Sequence, residues 1–331
     1  MRAAYINETG PAENIQVGRL PDPVPRGQEV LVRVTAAAVN PIDTYVRSGL
    51  VAMDLPRPFV VGCDLAGVVE TLGPEASRFQ VGDRVWGSNQ GLLGRQGTFA
   101  ELAAVDEQWL YPTPAEVEDE TAVAAALVGI TAHLGLVREA NLQAGETAIV
   151  SGGSGAVGST VIQLSQALGA RVLATTGSDQ GKKVCQALGA VRAINYQTED
   201  VLQRIAEVVP TGADLWWETG RNVDFDLALG ALGEGGRLIL MAGRDARPEF
   251  PVGPFYVKGC RLLGFAMFKA PAAAQRRAAE GLNAWLVEGK LKPAIDRLVP
   301  LEETAAMHRL QEENTLAGAR TLRGKIVVRI A

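Results

Sequence analysis

In the first third of the chain, apolar residues come in short runs that glycine or proline soon interrupts. Residues 30–39, Val-Leu-Val-Arg-Val-Thr-Ala-Ala-Ala-Val, predict a strand, and 67–71 and 83–86 predict two shorter ones. Pro21, Pro23, Pro25 and Gly27, then Gly73-Pro74 and Val81-Gly82-Asp83, supply the turns. Short strands with frequent turn signals predict a small barrel or sandwich. Near residue 115 the pattern changes. The acidic run Glu116, Glu118, Asp119 and Glu120 leads into apolar spacing over 116–139 that predicts one or two buried helices. From Gly145 strands (147–151, 171–176, 214–217, 237–241) alternate with helices (156–168, 179–188, 224–232). Such alternation builds a parallel doubly wound sheet. A last apolar strand at 261–268, a helix at 272–288, two short segments and a strand at 325–330 complete the chain. The expected organisation is α/β: a doubly wound domain over 123–267, inserted into a β-rich domain made of 1–122 and 268–331.

Composition adds exclusions. The 331 residues are 47% hydrophobic and 21% charged, enough for two packed cores and unlike a disordered chain. The formal charge is -5, and the basic pairs Lys182-Lys183 and Arg276-Arg277 stand alone, so no nucleic-acid partner is expected. Three distant cysteines, Cys63, Cys185 and Cys260, argue against a disulfide framework and for a reducing, cytoplasmic setting. The N-terminus has no apolar core of a signal peptide. Two charge-free stretches, 121–137 and 147–170, read as buried structure rather than membrane spans.

The clearest chemistry lies in Ser151-Gly152-Gly153-Ser154-Gly155-Ala156-Val157-Gly158. Gly153, Gly155 and Gly158 have the G-x-G-x-x-G spacing after a strand and at the start of a helix, which predicts a dinucleotide site. Glycine lets backbone approach a pyrophosphate, and the helix N-terminus offers free N–H groups. The next strand ends Ala174-Thr175-Thr176-Gly177-Ser178, without the carboxylate that an NAD site places there. NADP is therefore favoured, with Ser178, Lys182 and Lys183 able to reach a 2′-phosphate. Asp179 argues the other way, although it also suits the first turn of a helix. Three scattered cysteines and two histidines cannot furnish both a catalytic and a structural zinc site, so no metal is expected. Cys63 reads as a buried thiol, and His133 and His308 read as structural.

Together these segments resemble the zinc-free quinone oxidoreductases, the zeta-crystallin-like branch of the medium-chain dehydrogenase/reductase superfamily, over essentially the whole chain. The most specific segment is Val-Asn-Pro-Ile-Asp-Thr-Tyr-Val-Arg-Ser-Gly at 39–49, in which Asn40 stands where zinc members carry a cysteine ligand. In 61–67, Val-Gly-Cys-Asp-Leu-Ala-Gly, Cys63 replaces their histidine. Residues 154–158, 177–178, Asn195-Tyr196 and 324–328 also match. The resemblance implies a GroES-like barrel interrupted by a Rossmann domain, with NADPH and the acceptor meeting between them. It implies that Tyr45 and Asn40 lie beside the nicotinamide, with Thr131 near it on a helix. Ser154, Gly155, Ala156 and Val157 would hold the pyrophosphate, and Gly177, Ser178 and Tyr196 would surround the 2′-phosphate. Asn222 would lie along the cofactor, and the backbone of Met241, Ala242 and Gly243 and of Phe265, Ala266 and Met267 would bind the nicotinamide end. Two departures stand out: Gly181 replaces a lysine of many relatives, for which Lys182 can substitute, and Val51 replaces a tyrosine.

The implied reaction is hydride transfer from NADPH to a small quinone. Tyr45 would donate a hydrogen bond or proton and Asn40 would orient carboxamide or substrate. Asp43 is a further candidate that could equally cap a turn or pair with Arg47. A quinone accepts hydride without a finely tuned general acid. Two alternatives stay open: a reductase of activated C=C bonds in enones or alkenals, and an NADPH-binding protein without turnover. The apolar strand at 261–268, at a sheet edge, together with the family implies a homodimer.

Overall fold

The computed structural model describes residues 1–319 and 321–330. Contacts divide the chain into two compact units, Met1–Ile130 with Ala270–Ala331, and Thr131–Lys269. The second unit is thus inserted in the first, and the chain passes between them inside one helix.

The first unit begins with β1 (Arg2–Ile6), β2 (Gln16–Arg19), β3 (Glu29–Val39), α1 (Pro41–Ser48) and β4 (Phe59–Val60). There follow β5 (Asp64–Leu72), β6 (Arg84–Gly87), β7 (Leu102–Asp106), β8 (Leu110–Pro112) and α2 (Asp119–His133). Helix α2 enters the second unit and continues as a π-helical turn, Leu134–Glu139, so one helix with an irregular end replaces the one or two expected. The stretch Asp119–Glu139 is long and apolar enough to cross a membrane by composition, with a mean hydropathy of 1.6, but 72% of its most apolar window is buried inside the protein.

The second unit runs β9 (Thr147–Ser151), α3 (Ala156–Ala167), β10 (Arg171–Thr176), α4 (Asp179–Ala187), β11 (Arg192–Asn195) and α5 (Val201–Ala206). It continues with β12 (Ala213–Glu218), α6 (Phe225–Ala231), β13 (Leu232–Leu240), α7 (Val252–Val257) and β14 (Arg261–Gly264). The chain then returns to the first unit with α8 (Ala272–Val287), β15 (Ile295–Pro300), α9 (Thr304–Thr315) and β16 (Lys325–Arg329).

In the first unit, β2-β1-β4 form a small antiparallel sheet, and β15-β16-β3-β5-β6-β8 form a larger one to which β7 adds on β3. Register places Val32 opposite Val69 and Val34 opposite Gly67. A side chain at Gly67 would put Cβ 2.1 Å from the Arg33 carbonyl, which is why glycine stands there. The C-terminal strand closes the domain by pairing Ile326 with Val39.

In the second unit all six strands are parallel, in the order β11-β10-β9-β12-β13-β14. This is the doubly wound Rossmann order, with its switch point between β9 and β12. Ile149, Leu173, Ile194, Trp216 and Leu238 pack with α5 and α6 into one core. The strand expected at 261–268 stops at Gly264. There Phe265 turns edge-on to Trp217, ring centroids 6.3 Å apart, and Met267–Lys269 closes a 3-10 turn.

Candidate functional site

In the first unit the site is built on the junction of β3 and α1. Asn40 ends the strand in extended conformation and caps the helix, and Pro41 occupies the first helical position, where its missing N–H costs nothing. The Asn40 N–H donates to Asp43 Oδ2 at 2.7 Å, so Asp43 closes the cap. Gly49, at φ 83°, ends the helix after Ser48. Arg47 is 1% exposed and pairs with Glu312 rather than with Asp43. Tyr45 is half-buried on this helix, and its carbonyl accepts from the Val51 N–H at 3.0 Å.

Behind the cap lies a buried polar network. Lys325 Nζ donates to the Val39 carbonyl at 2.8 Å and to Asn40 Oδ1 at 2.5 Å. Asn40 Nδ2 donates to Asp64 Oδ2 at 2.8 Å and to the Ala38 carbonyl at 3.2 Å. Ser88 donates to Asp64 Oδ1 at 2.5 Å. Asn40, Asp43, Asp64, Cys63 and Lys325 are all 4% exposed or less. Burial pushes the Asp43 carboxyl up to about 7, against the hydrogen bond from the Cys63 thiol. It also pushes Asp64 up and Lys325 down, each shift opposed by the attraction between their charges. Burial, with the Asp43 and Asp64 charges adding to it, raises Cys63 well above the usual thiol range. Asn40 is fully buried and both ends of its amide are engaged. In this arrangement it fixes the start of α1 and has no group free for a ligand.

In the second unit, Gly152 turns the chain at φ 75° after β9, and Gly155 caps α3 without any side-chain bond. The first N–H groups of a twelve-residue helix are thereby left without a side-chain cap, as an anion site requires. Gly153 and Gly158 are buried because their neighbours touch them. A Cβ on Gly158 would lie 2.2 Å from the Gly152 carbonyl oxygen, and one on Gly153 would lie 2.8 Å from Ala174 Cβ. Ser154 is tied to Thr176 through hydroxyls 3.0 Å apart.

The other residues expected at the coenzyme gather at the same sheet edge. Gly177 and Ser178 follow β10, Tyr196 follows β11, Asn222 follows β12, Met241 to Gly243 follow β13, and Phe265 to Met267 follow β14. All lie just past the carboxyl ends of parallel strands, where ligands of open α/β sheets bind. Gly243, at φ 80°, brings its loop against the Arg221 carbonyl, beside Asn222. Thr131 is 4% exposed on α2, where the second unit begins.

At the end of β10, Ser178 caps α4 by accepting from the Gly181 N–H at 3.1 Å. Asp179 accepts from the Asn195 side chain at 3.0 Å, so its carboxylate is turned to β11. Lys182 is paired with Glu199 at 2.5 Å, while the exposed Lys183 makes no ion pair among the described residues. Sequence reasoning did not single out Thr219, which crosses the switch point to donate to the Ser151 carbonyl at 2.6 Å. It also passed over Lys325 as a functional residue. The signal available was a single charge between Gly324 and an apolar strand.

Comparison with known proteins is consistent across methods. The family model for the alcohol dehydrogenase GroES-like domain matches residues 26–115, and that for the zinc-binding dehydrogenase matches 156–284. The human quinone oxidoreductase is 32% identical over 321 residues, covering 96% of this chain and 95% of that protein. An Arabidopsis thaliana protein, the chloroplastic NADPH-dependent alkenal/one oxidoreductase, is 32% identical over 81% of this chain and 64% of its own. Among solved structures, an NAD-dependent alcohol dehydrogenase superposes with a TM-score of 0.89 at 31% identity, covering 100% of both chains. Mycobacterial Rv1454c complexed with NADPH gives 0.85 at 27% identity, covering 99% of this chain and 100% of that one.

The zinc in the name of the second family model does not suit the donors present. Among the described residues no three His, Cys, Asp or Glu are grouped to hold a metal. At Asn40 the amide oxygen faces the Lys325 ammonium, and Cys63 keeps its proton, so a dication would meet a fixed positive charge and a protonated thiol.

Proposed function

The chain belongs to the quinone oxidoreductases of the medium-chain dehydrogenase/reductase superfamily, and from that footing we propose that it reduces a small quinone with NADPH and without a metal. The observation that carries this reading is the end of β10. No carboxylate ends β10 at Thr176-Gly177-Ser178, where an NAD site places one, and the following Asp179 engages Oδ1 with Asn195. Ser178 and Tyr196 are exposed there, with Lys183 on α4, and they would surround a 2′-phosphate. Lys182 joins them only by giving up Glu199.

When bound, NADPH supplies the hydride. The glycine loop, residues 152 to 158, would hold the pyrophosphate at the amino end of α3. Backbone of residues 241–243 and 265–267 would orient the nicotinamide end, with Thr131 as a further contact. Tyr45 holds a proton at Oη for the oxygen that gains charge. Asn40 and Asp43 act as positioning residues that fix the helix carrying Tyr45. Alignment of donor and acceptor supplies most of the acceleration. Tyr45→Phe is therefore expected to lower kcat with benzoquinone only about tenfold, less than the hundredfold or more that loss of a general acid usually costs. The KM for NADPH should not move; a rise in that KM with kcat unchanged would remove Tyr45 from the proton path.

The plant alkenal/one oxidoreductase favours reduction of an activated C=C bond as the second reading. Steady-state oxidation of NADPH and NADH with benzoquinone, phenanthrenequinone and a short enone separates the two. Faster NADPH-dependent turnover of the quinones is expected. Turnover of the enone alone would select the second reading, and tight NADPH binding without turnover would leave a coenzyme-binding protein.

The edge of the second unit supports the reading of a homodimer. Strand β14 ends the sheet with Leu262 43% exposed, and Tyr256 and Val257 of α7 are 70% and 66% exposed. An open strand edge beside an apolar face pairs readily across a two-fold axis. Sedimentation is expected to give twice the 35.0 kDa chain mass. Leu262→Asp should shift the protein towards monomer, and a monomeric wild type at micromolar concentration would refute the dimer. The three free, buried cysteines suit a reducing, cytoplasmic setting.

A further inference from the structure

A cavity of about 330 Å³ opens in the first unit among the turn before β6, strand β8 and helix α8, and it shares no residue with α1 or the Lys325 network. Two guanidinium groups from separate elements line it, Arg78 and Arg276. Neither makes an ion pair among the described residues. Arg78 donates to the Glu107 and Leu110 carbonyls, and the Glu107 carboxylate, which accepts from the Arg78 backbone N–H at 2.8 Å, offsets part of its charge without forming an ion pair. Burial lowers the Arg78 pKa, and the neighbouring Arg276 charge lowers it further, against the pull of Glu107 and Asp106. Arg276 makes no hydrogen bond to another described residue, and its Nε is buried without a partner. Two like charges brought together in a partly buried hollow are costly unless an anion joins them.

Tyr111 supplies an independent observation. It lines the same cavity, is 2% exposed, and its hydroxyl makes no hydrogen bond to another described residue. The Tyr111 oxygen is accessible in the cavity, where it can donate to an occupant. Burial pushes the phenol above its ordinary range, so it stays a donor at neutral pH. The wall beside it is rigid: Asn283 accepts from Trp86 Nε1 at 2.9 Å and donates to the Pro112 carbonyl at 2.8 Å. Phe79 adds an apolar ring to the lining. Two acids also line the cavity, both exposed. Asp83 accepts from the Gln80 N–H, and Glu280, four residues after Arg276 on α8, lies outside ion-pair distance of it.

We propose that this cavity binds a small organic carboxylate, its oxygens between Arg78 and Arg276 with the Tyr111 hydroxyl as a third donor, and its apolar body against Phe79. Planar guanidinium forks match carboxylate geometry, and the volume lies at the small end of ligand pockets, about 300–1,000 Å³, which suits a single ring. Benzoate is the probe, titrated calorimetrically into the full-length protein saturated with NADP. Saturable 1:1 binding is expected, with benzamide, which lacks the charge, failing to bind. Arg276→Gln, which removes no hydrogen bond or ion pair among the described residues, should weaken benzoate about tenfold or more, and Tyr111→Phe severalfold. Absence of saturable binding would overturn the proposal. So would benzoate affinity unchanged in Arg276→Gln, since the probe then sits elsewhere. Inorganic phosphate binding as tightly as benzoate would overturn the assignment to a carboxylate with an apolar body.

Discussion

Lys325→Met is expected to destabilise the first unit by on the order of 3–5 kcal/mol, the cost of leaving buried charge without its partner. Among the described residues Lys325 carries the one cationic group in a network with two buried carboxyls, Asp43 and Asp64, and its Nζ also holds the Val39 carbonyl and the Asn40 amide. Methionine fills a similar volume but leaves both oxygens without a donor and Asp64 without a counter-charge. Urea unfolding, with hydrogen exchange across the β3–β16 pairs as the local readout, measures the loss. The double variant Lys325→Met/Asp64→Asn should recover part of it, because removing the second charge removes the reason for the penalty. A loss below about 1 kcal/mol would mean that the network carries no ion pair, and would also undo the account of how α1 is held.

Gly158→Ala is expected to weaken NADPH binding about a hundredfold, or roughly 2.7 kcal/mol. The new methyl would lie 2.2 Å from the Gly152 oxygen and 2.9 Å from the Gly153 Cα, and backbone atoms in a tight turn cannot move aside cheaply. The amino end of α3 would be levered off the glycine loop. Gly155→Ala separates this from loss of fold. Its Cβ would meet only the Gly152 oxygen, at 3.5 Å, and its backbone is already extended, so stability should hold. The methyl nevertheless projects at the exposed cap, where the pyrophosphate would approach, and about a tenfold weakening is expected. Fluorescence titration of NADPH against both variants reads the difference. Unchanged affinity in Gly155→Ala would remove the pyrophosphate from this loop.

The second unit was the more legible half. Strands 147–151 and 171–176 were found to the residue, because central parallel strands are continuous apolar runs and the glycine loop punctuates them. Helix α1 was quoted as a motif but not read as a helix. Its eight residues fall short of the roughly 11–18 over which a helical period is read, and its polar side, Asp43 and Arg47, is buried. The strand at 261–268 was overextended because Phe265 and Met267 are apolar for packing reasons unrelated to strand pairing.

Side-chain partners were the least visible layer. Asn40 is bound by Lys325, 285 residues away, and nothing in the local pattern announces that distance. Lys182 and Asp179 look equally available in the sequence, yet Glu199 takes one and Asn195 the other. The paired acid changes the meaning of the β10 end more than any single residue type could. An inventory of types gives the class of coenzyme pocket, and only the fold tells which charges are already spent.

The central claim is hydride transfer from NADPH to a quinone on this chain, and anaerobic single-turnover mixing tests it directly. Protein loaded with NADPH is mixed with one equivalent of benzoquinone while nicotinamide absorbance and quinol are followed together. The account predicts that one quinol forms for each NADPH consumed, faster than without protein, and that deuterium at the transferred C4 position slows the step. Nicotinamide absorbance that decays no faster than in the protein-free control would contradict it.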